Sequence, residues 1–184
     1  MATPDTTKIY RVPGQLCINP TNLATAFPHG GTAIGVASQM RIVTGLEEAR
    51  ITAEEFSGQA VEAVLGKRDF FMSALLRQWD NDAIATLFGS DATTGASGDK
   101  VINWPGTDRG GYQLSARSVK LCFTADRVTE HPSLLIYKAV PLYAEAEALR
   151  LTVLAELAMP VVFLGLRDGS SRVASMGLLS DLSL

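Results

Sequence analysis

Residues 149–168, LRLTVLAELAMPVVFLGLRD, decide between a helical and a β reading of this chain. Their Leu, Ala and Glu content suits a helix, but the order of the residues does not. Apolar Leu149, Leu151, Val153, Ala155 and Leu157 alternate with Arg150, Thr152 and Glu156, and Leu154 alone breaks the pattern. That period is two, not the 3.6 of a helix. Met159–Pro160 continues a helix poorly and marks a strand boundary. The following VVFLGL is β-branched, aromatic and too short for a helix. The stretch predicts strands, with room for one helical turn in the Ala/Glu run at 144–148.

The same period recurs outward from this point. In QAVEAVLGKRDFFMSALL, residues 59–76, Val61, Ala63 and Leu65 alternate with their neighbours. Gly66 and Lys67 interrupt the pattern, and Phe70–Leu76 resume it. TAIGVASQMRIVT, from Thr32 to Thr44, has strand character ending at Gly45, and residues 49–56 make a second short candidate. SVKLCFTAD and SLLIYKAVPL, residues 118–126 and 133–142, read as strands, the second bracketed by Pro132 and Pro141 because proline is confined to strand ends and edges. One helix stands out, in WDNDAIATLFGSD at 79–91. Asp80, Asn81 and Asp82 offer capping oxygens and negative charge at its positive end. Ile84, Leu87 and Phe88 share one face, and Gly89 suits the C-terminal cap. Residues 1–31, rich in Pro, Thr, Asn and Gly, predict an arm with a short apolar run at Gln15–Ile18, leading into a domain at 32–184. Within that domain, residues 89–111 form a polar, Gly-rich loop. Its length is uncommon unless it is functional or disordered.

The chemistry-bearing residues do not assemble into a site. His29, in FPHGG, and His131, in TEHPS, both sit beside a proline and read as surface turn residues. Neither has a second ligand at metal spacing. There is no phosphate loop and no nucleophile elbow; DGSSR lacks the second glycine. Glu54–Glu55 and the Asp80–Asp82 trio fit solvated charge and helix capping. Trp79 abuts the helix and reads as core or interface. Cys17 and Cys122 lie in apolar runs and read as two buried free thiols. The expectation is therefore a protein with no catalytic residues, no cofactor and no metal, which is not an enzyme. The 184 residues are enough to bury a core without disulfides. A net charge of −3 gives no basic footprint for reading nucleic acid. MATPDTTKIYR lacks a signal-peptide core, and no stretch is long enough to cross a membrane, so folding in a cytoplasm is expected.

The order of these parts resembles the tail tube proteins of tailed bacteriophages. GQAVEAVLGKRDFFMSALLRQWDNDAIATLFG, residues 58–89, is similar to the middle of that family: a strand, a glycine turn, an answering strand and a short helix. SLLIYKAVPLYAEAEALRLTVLAELAMPVVFLGLRD, residues 133–168, and the tail SSRVASMGLL, residues 170–179, are similar to its C-terminal part. The likeness spans residues 32–184 and is weakest before them. It implies a mainly β fold with one short helix, a β-sandwich or split barrel of the tail tube type. Copies would oligomerise into homohexameric rings with a continuous inner β-barrel. Stacked rings would form a conduit for DNA ejection, within the virion tail, after assembly in the host bacterial cytoplasm. The implied partners are the chain itself and other tail proteins: terminator, baseplate or tip, and sheath. Duplex DNA would pass through without specific binding, and there is no membrane partner. A mildly acidic chain suits a lumen that must not hold phosphates. Three other readings stay open: a terminator or hub on the same fold, the tube of a contractile injection system, and a stand-alone β-sandwich binding module.

Overall fold

The structure is a computed structural model that describes residues 13–52, 60–80, 83, 87, 91–94, 100–103, 118–142 and 159–184. Nine strands are described: β1 (Gly14–Ile18), β2 (Thr32–Thr52), β3 (Ala60–Trp79), β4 (Asp91–Thr94), β5 (Lys100–Asn103), β6 (Val119–Ala125), β7 (Ser133–Leu142), β8 (Met159–Gly165) and β9 (Ala174–Gly177). Seven form one antiparallel sheet in the order β6-β1-β2-β3-β8-β7-β9, and β6 also pairs with β7. That extra pairing closes the sheet. β6, β1, β2, β3, β8 and β7 make a barrel, and β9 lies outside the ring on the edge of β7. The sandwich half of the sequence expectation is thereby corrected: the β layers do not stack as two sheets but close on themselves, which removes edges.

Strict alternation builds the interior. Along β3, Met72, Ala74 and Leu76 are buried while Phe71, Ser73 and Leu75 are half-buried. Along β8, Met159, Val161, Phe163 and Gly165 point inward. Register brings like faces together across three strands: Ile42 opposes Met72, and Met72 opposes Phe163. With Leu16, Ile18, Leu121, Phe123, Leu134 and Ile136 these side chains fill the barrel. Gly14 is needed at its place because a Cβ there would lie 2.3 Å from the Phe123 ring.

Several sequence expectations change. Residues 14–18, expected within an arm, are a central barrel strand between β6 and β2. Strand β2 does not end at Gly45 but runs on to Thr52. β3 is likewise continuous through Gly66: Glu47 opposes Lys67 and Glu48 opposes Leu65, so Gly66 is the extra residue of a β-bulge. The loop at 89–111 contains a two-stranded hairpin, Asp91–Thr94 paired with Lys100–Asn103. Ala83 and Leu87 are helical and join the barrel core. The Ala83 amide donates to Asp80 Oδ1 at 2.9 Å, the cap read from the sequence. Ile84, Phe88 and Trp104 lie outside the described residues, as do 149–157, so the first strand of the opening stretch is not described; the second is β8. Pro141 sits inside β7, one residue from its end.

Candidate assembly interface

β2 and β3 are far longer than the strands beside them. β1 covers β2 from Thr32 to Ala37, and β8 covers β3 from Phe70 to Leu76. Past the Phe70–Gly165 pair, β2 and β3 continue together from Gly45–Asp69 to Thr52–Ala60. At ~3.3 Å per residue this ribbon reaches about 25 Å beyond the barrel wall. Among the described residues no strand pairs with the outer edge of β2 from Ser38 to Thr52, nor with that of β3 from Ala60 to Arg68. A two-stranded ribbon alone in water is marginal, and its bare edges template pairing with another chain.

One outward row at the ribbon's root is apolar. Val43 opposes Phe71, and Phe71 opposes Leu164. The next outward row along the strands is Arg41, Ser73 and Val162. Val43 is 40% exposed, one of three large hydrophobic side chains that are clearly exposed among the described residues. Phe71, Val162 and Leu164 are half-buried. Edge and face together offer another sheet both backbone hydrogen bonds and apolar contact.

The opposite side of the barrel is closed by its own chain. Cys17, Cys122, Leu135 and Tyr137 point outward from β1, β6 and β7, and Leu23, Phe27, Leu179, Leu182 and Leu184 pack over them. The Arg172 guanidinium lies 3.9 Å from the Tyr137 ring centre and pairs with Asp168 at 3.0 Å. The Tyr137 hydroxyl meets Ser175 Oγ at 2.9 Å.

His29 corrects a sequence expectation. It is 2% exposed, not a surface turn residue. Its Nδ1 donates to the Thr25 carbonyl at 2.8 Å, which in the neutral ring leaves Nε2 to accept from the Thr124 hydroxyl, also at 2.8 Å. Thr124 Oγ1 in turn lies 3.7 Å from Cys122 Sγ. This chain of hydrogen bonds fastens the loop at 19–31 to the barrel. No local signal marks it, because Thr124 is ninety-five positions away. His131 does lie in a turn, half-buried.

Cys17 and Cys122 are free, buried and directly opposite each other. Asn19 N–H donates to the Lys120 carbonyl at 2.7 Å, and Asp126 N–H to the Pro13 carbonyl at 3.2 Å. Hydrogen-bonded pairs alternate along this ladder, so Cys17–Cys122 is one of them. Such pairs hold Cβ atoms about 5.5 Å apart, too far for an unstrained disulfide at ~3.8 Å. The Cys17 thiol donates to Cys122 and is buried, and both effects push it far above its ordinary value of 9.0. Among the described residues no three His, Cys, Asp or Glu side chains gather at a place that could hold a metal. No described helix is long and apolar enough to cross a membrane.

No protein-family model matches the chain, and no curated protein matches it. Solved structures that match include the tube terminating cap of the anti-feeding prophage, seen by cryo-EM. That likeness covers 97% of this chain and 95% of the cap, at 10% identity and a TM-score of 0.39. Similarity that loose leaves function to be argued from the chain itself.

Proposed function

We propose that this chain is a structural subunit that builds a phage-tail-like tube by ring formation, not an enzyme. The observation that carries the reading is the β2–β3 ribbon, whose outer edges have no strand partner among the described residues. In a ring, the β3 edge of one copy pairs with the β2 edge of the next. A head-to-tail contact of this kind closes into a ring when its rotation closes. The ribbons then merge into one inner barrel, and the exposed Val43 row becomes an interface. The resemblance of residues 58–89 and 133–168 to tail tube proteins supports six copies per ring and stacking of rings into a conduit for DNA. Duplex DNA would pass without a specific site, and other tail proteins would meet the ends of the stack.

The test is electron microscopy and native mass spectrometry of the purified chain over a range of concentrations. Six-fold rings with a hole wide enough for duplex DNA are expected. Stacks of rings support a tube subunit, and isolated rings that never stack overturn the tube in favour of a terminator. A strict monomer at high concentration overturns assembly altogether.

A further inference from the structure

The outward patch that the chain covers for itself is held from two ends, and unequally. Cys17 opposes Cys122, Cys122 opposes Leu135 and Leu135 opposes Ser175, one row across β1, β6, β7 and β9. The loop at 19–31 reaches this row from its β1 end and is tied to β6 by hydrogen bonds. Asn19 N–H donates to the Lys120 carbonyl at 2.7 Å, Lys120 N–H donates to Asn19 Oδ1 at 3.0 Å, and the Thr124 hydroxyl meets His29 Nε2 at 2.8 Å.

Residues 178–184 reach the row from its β9 end. Among the described residues no hydrogen bond or ion pair joins them to the rest of the chain. Their own bonds are internal: Asp181 N–H to the Leu178 carbonyl at 2.9 Å, Leu182 N–H to the Leu179 carbonyl at 3.4 Å, and the Ser180 hydroxyl to Asp181 Oδ1 at 3.1 Å. What holds the segment is Leu179, Leu182 and Leu184, which pack on the patch and are each only half-buried. Leu178, where it leaves β9, is 36% exposed. Open cavities of about 370 and 310 Å³ lie between the segment and the loop, one beside Leu179 and Phe27, the other beside Leu184 and Asn22. The two covers therefore do not lock each other. Lifting residues 178–184 breaks no ladder hydrogen bond and gives up only the burial of three leucines, whereas moving the loop breaks its bonds to β6. A segment so held sits at the low end of local stability.

We propose that residues 178–184 are a strap that opens by itself while the barrel stays folded, and that its opening bares an apolar face carrying Cys17, Cys122, Leu135 and Tyr137. This inference does not depend on ring formation.

The test is alkylation of Cys17 and Cys122 by iodoacetamide in the full chain at pH 8, at a concentration where light scattering shows monomers, read by mass spectrometry. Opening of the strap exposes little surface, so the rate should stay within about twofold between 0 and 1 M urea. Leu182→Ala should speed alkylation about fivefold to tenfold, and the volume-conserving Leu182→Met should leave it near the original rate. Access through global unfolding alone would raise the rate about sixtyfold per molar urea. A rate that climbs in that way from the first addition of urea, or one that Leu182→Ala leaves unchanged, overturns the proposal.

Discussion

Met72 and Phe71 are neighbours in β3, and truncation should cost more than twice as much at Met72 as at Phe71. Met72 is fully buried, between Ile42 on one strand and Phe163 on the other. A closed barrel cannot collapse easily around a missing side chain. Met72→Ala should therefore cost about 3 kcal/mol, within the ~2–5 kcal/mol of core truncations. With a urea slope of about 2.5 kcal/mol/M for a domain of this size, the unfolding midpoint falls by about 1.2 M. Phe71 faces outward and is half-buried. If roughly 50 Å² of its ring is removed from water in the monomer, Phe71→Ala costs about 1.2 kcal/mol at ~25 cal/mol/Å². The midpoint then falls by about 0.5 M. The assay is urea unfolding at a concentration where light scattering shows monomers, because assembly would add stability of its own. A cost for Phe71→Ala as large as that for Met72→Ala would refute the assignment of inner and outer faces, and with it the interface built on Phe71.

Two further outcomes follow from the covered side of the barrel. Thr124→Val removes the hydroxyl between His29 and Cys122 and leaves the buried His29 Nε2 without its donor; a loss of about 1–3 kcal/mol is expected, and an unchanged unfolding midpoint would contradict the staple. Cys17, with its pKa raised in the fold, keeps its proton where the unfolded thiol has lost it. Stability from this group is therefore whole below about pH 9 and falls above it, by ~1.4 kcal/mol per pH unit for one thiol. Unfolding measured from pH 8 to 10.5 should show that slope, replacing both Cys17 and Cys122 by Ala should flatten it because either buried thiol alone would hold its proton in the fold, and a native disulfide under mild oxidation would count against the register argument.

The sequence by itself determined what is local. A period of two wrote the strand at β3, because side-chain direction alternates whatever the partner, and apolar, β-branched and aromatic runs wrote β6, β7 and β8. Asp80 announced the helix start, because a cap is satisfied within one turn. The thiols of Cys17 and Cys122 were legible as buried from their apolar neighbours. The tertiary structure decided everything that depends on which strands meet. Gly14–Ile18 looks like part of a polar arm until β2 and β6 flank it. Gly45 and Gly66 look like strand ends, yet pairing carries both strands past them and absorbs Gly66 as a bulge. His29 looks like a turn residue until Thr124 arrives from the far side of the chain. Closure itself rests on β6 meeting β7 while both also hold other neighbours. Alternation fixes the faces of a strand but is blind to its edges, and the edges chose the barrel over the sandwich and left the ribbon of β2 and β3 exposed.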